Sequence, residues 1–100
     1  MTITKQKTGS ALTLRLEGRL DTITAPELEA VLKEELEGVE DLTFDFTALD
    51  YLSSAGLRVL LSAQKTMNKQ GGMKVTGVSE IIMEIFEVTG FTDLLTIEQA

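Results

Sequence analysis

The chain of 100 residues contains no cysteine and no histidine. The first absence excludes a disulfide framework, a thiolate zinc site and a thiol nucleophile. The second removes the commonest general base and the commonest metal ligand together. Long apolar runs are also missing, so no segment reads as a membrane span, and Met1-Thr2-Ile3-Thr4-Lys5 lacks the apolar stretch of a secretory signal. Cytoplasmic residence is the expectation. Basic residues are outnumbered, 9 against 16 acidic, and the formal net charge of −7 gives a surface that phosphate backbones and anionic lipid repel. Nucleic acid and membrane insertion are therefore not expected of it.

What remains is ordinary globular material, 43% apolar and 25% charged, at a length that holds one core and one domain spanning residues 1–100. Residues 2–7 and 11–17 read as two strands around the turn Thr8-Gly9-Ser10, with Leu12, Leu14 and Leu16 alternating with Thr13, Arg15 and Glu17, and Gly18 closing the second. Thr24-Ala25-Pro26-Glu27 has the form of a capping box, flanked by Ile23 and Leu28 at hydrophobic-staple positions. The helix it opens carries Leu28, Val31, Leu32 and Leu36 inward and stops at Gly38.

Leu42, Phe44 and Phe46 alternate with Thr43, Asp45 and Thr47 in a third strand. Ser53 or Ser54 caps a second helix that runs to about Gln70, with Leu57, Leu60 and Leu61 as its core face and Val59, Ala63 and Met67 adding to it. Gly71-Gly72 stops it. Met73–Thr76 forms a fourth strand, and Ser79 caps a third helix with Ile81, Ile82, Ile85 and Phe86 inward, ending at Gly90. Leu94–Ile97 is either a final strand or a short helical turn. The order β-β-α-β-α-β-α plus a C-terminal tail predicts an α/β fold: a mixed sheet with right-handed parallel crossovers, an antiparallel hairpin at one edge and helices packed against it.

Catalytic templates find little support. No Ser-x-x-Lys, Gly-x-Ser-x-Gly, phosphate-loop or Gly-x-Gly-x-x-Gly pattern occurs, and Gly71-Gly72-Met73-Lys74 lacks the required spacing. Glu34-Glu35 and Glu40-Asp41 read as solvated faces, since helix neighbours point apart. Asp45 sits on an exposed sheet face or caps a neighbouring element. Phe44, Phe46, Phe86 and Phe91 read as core, Tyr51 as partly exposed, and the four methionines as gap-fillers. An enzyme using Asp45 or Asp50 is the least supported class, and no cofactor is expected.

Leu49-Asp50-Tyr51-Leu52-Ser53-Ser54-Ala55-Gly56-Leu57 places two serines where a loop becomes a helix. A capping serine needs no further role. Yet a helix N-terminus also tolerates a phosphate, and Ser54, Arg58, Ser62, Lys65 and Lys69 recur at near-helical spacing along one face. That stripe is either a docking surface beside a modifiable hydroxyl or an ordinary solvated face.

Three segments resemble the STAS domain family, in particular its bacterial anti-sigma factor antagonists, over nearly the whole chain. Gly18-Arg19-Leu20-Asp21-Thr22-Ile23-Thr24-Ala25-Pro26-Glu27-Leu28 is similar to the Gly-x-Leu-Asp segment before the first helix, and Phe44-Asp45-Phe46 to the central strand. Ser53-Ser54-Ala55-Gly56-Leu57 resembles the Asp-Ser-Ser/Thr-Gly-Leu motif, with Ser53 where the family has aspartate. The resemblance implies a phosphorylated serine at Ser54, with Ser53 as the alternative. It implies a partner-switching regulator rather than an enzyme. The unmodified chain would bind an anti-sigma factor that is itself a serine kinase and free the sigma factor; phosphorylation would reverse this, and a PPM-type phosphatase would reset it. ATP and magnesium would belong to the kinase. Partner contact is expected from Ser53, Ser54, Ala55, Gly56, Arg58 and Ser62, with Asp21 and Thr22 as further contacts or as loop caps. The alternative is an unphosphorylated STAS scaffold in a lipid-transport or stressosome-like assembly.

Overall fold

A computed structural model of the protein describes residues 1–99. The alternation of apolar and polar residues builds its sheet. β1 (Thr2–Thr8) and β2 (Ala11–Leu20) form a hairpin across Gly9, whose φ of +60° suits the tight turn. The chain continues through α1 (Ala25–Glu35), β3 (Asp41–Leu52), α2 (Ser54–Gln70), β4 (Gly72–Val78) and α3 (Glu80–Thr89). A 3₁₀ turn at Phe91–Asp93 and β5 (Ile97–Gln99) complete it. The strands lie in the order β1-β2-β3-β4-β5, antiparallel in the first pairing and parallel in the other three.

Each parallel connection passes through a helix and steps one strand the same way across the sheet. Right-handed crossovers then place all three helices on one face. Burial follows that arrangement: Leu12, Leu14 and Leu16 of β2, Leu42, Phe44 and Phe46 of β3, and Met73 and Val75 of β4 are buried beneath the helices. Thr13, Arg15, Thr43, Asp45 and Lys74 occupy the opposite, solvated face. Phe86 of α3 stacks on Phe46 at 6.4 Å between centroids, and Phe91 stacks on Phe86 at 6.4 Å. These rings anchor the last helix to the central strand, each contributing roughly 0.5–1.5 kcal/mol beyond its area burial.

The structure departs from the sequence reading in its details. The capping box and staple before α1 do not form: Thr24 occupies the N-cap position without a side-chain cap bond, and Ile23 is 84% exposed. The Thr24 hydroxyl is engaged elsewhere, donating to the Arg19 carbonyl at 2.7 Å and accepting from the Asp21 amide at 2.9 Å. β2 does not close at Gly18 but runs to Leu20, passing Gly18 at φ +99° beside a register irregularity in its pairing with β3. β3 likewise extends to Leu52 rather than ending near Thr47. Leu61 is only half-buried, the core face of α2 being Leu57, Val59, Leu60, Ala63 and Met67. Ile81 is 65% exposed because α3 buries the arc through Ile82 and Phe86 instead. The Leu94–Ile97 segment is neither alternative over its length: the 3₁₀ turn lies before it at Phe91–Asp93, Leu94–Thr96 is irregular, and the strand begins only at Ile97. Ser79 does cap α3, accepting from the Ile82 amide at 3.3 Å, and Gly90 ends that helix in the left-handed region.

Candidate functional site

The parallel strands β2 and β3 end side by side, with Leu20 paired to Leu52, so both of their outgoing loops emerge at one edge of the sheet. Ligands and partners of open α/β sheets gather at such carboxyl ends. One loop carries Asp21 and Thr22; the other is the short passage through Ser53 into α2. The Ser53 amide donates to the Leu20 carbonyl at 2.9 Å, which ties the two loops together.

Asp21 acts as a cap for its own loop. Its Oδ1 accepts from the Ile23 amide at 3.0 Å and the Thr24 amide at 3.1 Å, and its Oδ2 lies 3.7 Å from Arg19 Nε. The Thr24 amide, supported by the Ile23 amide, the Thr24 hydroxyl and Arg19, holds the Asp21 carboxyl below its ordinary value of 3.8. Arg19 in turn lies over the Tyr51 ring at 4.2 Å, a cation–π contact between the ends of β2 and β3 just before the two loops. Thr22 is exposed.

Asp45 lies away from this edge, on the solvated sheet face. Its Oδ1 accepts from the Thr47 hydroxyl at 2.6 Å and the Thr47 amide at 3.0 Å, and Arg15 stands 3.6 Å from Oδ2. The Thr47 hydroxyl first, then the Thr47 amide and Arg15, depress its pKa from 3.8. No group of three or more potential metal ligands occurs among the described residues. Both depressed carboxylates contribute stability above their unfolded pKa, and that stability is lost as pH falls through the folded values. With no histidine or cysteine to titrate, the melting temperature is expected to stay level between about pH 6 and 8 and to decline below about pH 4. Calorimetry of wild type against Asp45→Asn isolates the local effect: the variant starts lower at neutral pH and has a shallower acid decline.

The two serines differ sharply. Ser53 is the N-cap residue, with extended backbone at φ −97° and ψ 175°, yet its side chain makes no capping bond. Its Oγ is buried and has no hydrogen-bond partner among the described residues. Ser54, the first residue of α2, is exposed. Capping rules alone put the cost of Ser53→Ala near 1 kcal/mol. The geometry predicts a change within about 0.5 kcal/mol of zero or a slight gain, because the variant removes an unsatisfied buried hydroxyl. Chemical denaturation distinguishes the two outcomes.

Gly56 fixes where α2 begins. It is buried, and a Cβ there would stand 2.7 Å from both Leu20 Cγ and Leu52 Cδ1. It therefore packs inward beneath the serines and is absent from the exposed surface. Thr22, Ala55, Arg58 and Ser62 line one groove between α1 and α2, of about 650 Å³. Its floor is apolar, from Ala25, Leu32 and Leu36 on one side and Val59 and Ala63 on the other. This groove was not anticipated from sequence. Its signal was the small residues, Ala25 and Pro26 facing Ala55 and Ala63, which leave space where larger side chains would fill it.

Along α2, Ser54, Arg58, Ser62, Lys65 and Lys69 fall within an arc of about 80° at 3.6 residues per turn. All five are exposed. Asp21, Thr22, Ser54, Ala55, Arg58 and Ser62 are thus brought to one end and one side of the molecule, while Ser53 Oγ and Gly56 lie beneath it.

Comparison with known proteins agrees with this architecture. Residues 2–100 match the STAS domain. The anti-sigma-B factor antagonist of Staphylococcus epidermidis is 33% identical over 88 residues, covering 86% of this chain and 82% of that protein. Among solved structures, an anti-sigma factor antagonist from Mycobacterium paratuberculosis superposes with a TM-score of 0.89 at 21% identity, over 99% of this chain and 86% of the other. The Bacillus cell fate determinant SpoIIAA, solved in its phosphorylated form, gives a TM-score of 0.76 at 17% identity, covering 96% and 90%. A five-stranded mixed sheet with its helices on one face, matched along residues 2–100, places the chain in the STAS domain family.

Proposed function

We propose that the protein is an anti-sigma factor antagonist whose binding is switched by phosphorylation of Ser54. The observation that carries this reading is the contrast between neighbouring hydroxyls: Ser54 is exposed at the start of a 17-residue helix, whereas Ser53 Oγ is buried. A kinase needs an accessible hydroxyl, and the exposure of Ser54 beside the buried Ser53 Oγ supports the outer one as acceptor. The relatives named as anti-sigma factor antagonists supply the functional class.

In this mechanism the unmodified helix face docks on an anti-sigma factor and so frees a sigma factor. The anti-sigma factor, as a serine kinase with its own ATP and magnesium, transfers the γ-phosphoryl group to Ser54 Oγ. The hydroxyl proton leaves with the kinase's base, ADP departs, and the complex dissociates. A PPM-type phosphatase then hydrolyses the ester and restores the free hydroxyl. The antagonist contributes surface and acceptor, not catalysis. Asp21 holds its loop in shape, so its carboxylate and Thr22 reach a partner as part of a preformed edge.

The test is intact-mass spectrometry after incubation with serine kinases from the same cell and ATP. One added phosphate that is lost in Ser54→Ala and retained in Ser53→Ala is the expected result. Loss only in Ser53→Ala moves the acceptor by one residue. Absence of any phosphate, with binding indifferent to ATP, favours the constitutive scaffold.

A further inference from the structure

The charge of this protein is not evenly spread. α2 contains three of the nine basic residues and none of the sixteen acidic ones. Elsewhere the cations are mostly engaged: Lys5 with Glu35, Arg15 with Asp45, Arg19 with Asp21, Lys33 with Glu29 and Lys74 with Glu98. Arg58, Lys65 and Lys69 are exposed and form no ion pair among the described residues. They form a ridge about 16 Å long, at 1.5 Å of rise per residue, on a protein that is otherwise strongly acidic.

Arg58 is the member of that ridge that lines the groove of about 650 Å³, whose α2 wall continues through Ser62, Thr66 and Gln70 and whose floor is apolar. Lys65 and Lys69 follow along the same helix just outside this wall. The opposite lip carries Glu29, Lys33 and Glu37, with Glu29 compensated by Lys33 at 3.7 Å. An apolar trough bordered on one side by uncompensated positive charge selects an occupant by two features at once. Its apolar side chains must recur along one stripe, and its negative charges must flank that stripe on one side.

We propose that the α1–α2 groove seats an acidic amphipathic helix supplied by a protein partner. Its apolar side chains lie on Leu32, Leu36, Val59 and Ala63, and its carboxylates along Arg58, Lys65 and Lys69. The proposal rests on the reading of this helix face as the docking surface and adds the chemistry of what docks there. It also connects recognition to the switch, because Ser54 stands at one end of the same ridge, four residues before Arg58. A phosphate at that end supplies negative charge to the cations that the partner's carboxylates would otherwise engage.

The test uses the full chain and a synthetic Leu/Glu amphipathic helix of about 18 residues, with a Leu/Lys peptide of the same pattern as the counterpart. In an NMR amide-shift titration the Leu/Glu peptide is expected to move resonances of α1 and α2 around the groove. Its affinity should fall by at least about tenfold in Lys65→Glu/Lys69→Glu and with rising salt, since both remove the attraction across the lip. Lys74→Glu, on the solvated sheet face, leaves it unchanged. Shifts centred on another surface, equal binding to the double variant, or preference of the groove for the Leu/Lys peptide would overturn the proposal. The peptide is read without kinase or ATP, so failure of Ser54 phosphorylation leaves this result standing. Failure of peptide binding, in turn, leaves the phosphorylation result standing.

Discussion

Phosphorylation of Ser54 is expected to weaken the complex with the anti-sigma factor by at least about a hundredfold, roughly 2.7 kcal/mol, while shifting the melting temperature by only a few degrees. The two halves of this expectation come from the same position. Ser54 is exposed in the first turn of α2, where backbone amides are free and the helix dipole favours an anion by about 0.3–1 kcal/mol. The added charge of about −1.5 to −2 is therefore well placed within the isolated fold. Docking changes its surroundings. A partner that covers Ser54 strips water from the phosphate, and removing a charged group from water costs several kcal/mol unless every oxygen finds a donor.

Calorimetric titration and thermal denaturation of matched phosphorylated and unmodified protein separate these effects. An unchanged affinity would remove the switch. A melting temperature lowered by more than about 10 °C would show that the modification acts by loosening the domain, since one kcal/mol corresponds to about 4–8 °C at this size.

How much of this was legible in the sequence depended on the range of the interaction that decides each feature. The alternations in residues 12–16 and 42–46 depend only on near neighbours and on which face is buried, and both strands appear where the pattern put them. The capping-box pattern at Thr24 is equally local, yet it failed. Asp21, three residues earlier, already supplies the loop with an acceptor, and the Arg19 carbonyl draws the Thr24 hydroxyl away. Ile81 shows the same limit at a longer range. The sequence contains an apolar arc wider than the one α3 buries, and only the position of Phe46 under Phe86 selects which part turns inward.

The candidate site divided in the same way. The motif falls where β3 passes into α2, as its pattern implied, but the burial of Ser53 Oγ depends on two strands meeting at Leu20 and Leu52. The groove depends on the distance between two helices, which no periodicity encodes. Its lining residues are far apart in sequence, so they acquire a common meaning only once α1 and α2 are placed.

Gly56→Ala is expected to cost about 2 kcal/mol and Gly56→Val about 4 kcal/mol, lowering the melting temperature by roughly 8–16 °C in the first case. Helix propensity alone predicts the reverse, since alanine stabilises a helix interior by about 1 kcal/mol over glycine. Packing overrides it. The new Cβ would stand 2.7 Å from Leu20 Cγ, which is a branch point rather than a mobile end, and 2.7 Å from Leu52 Cδ1. Leu20 and Leu52 are 0% and 2% exposed, so neither has open space to enter. Relief must come from α2 lifting off the ends of β2 and β3, and that movement carries Ser54 and Arg58 with it. The variant should therefore lose partner affinity beyond what its unfolded fraction explains, even at temperatures where it remains folded. A double-mutant cycle with Leu20→Ala isolates the contact: the truncated side chain makes room for the alanine, and a coupling of about 1–3 kcal/mol is expected. Additive losses in that cycle would mean that Leu20 is not what Gly56 accommodates. Normal affinity in folded Gly56→Ala would separate the geometry of the helix start from recognition.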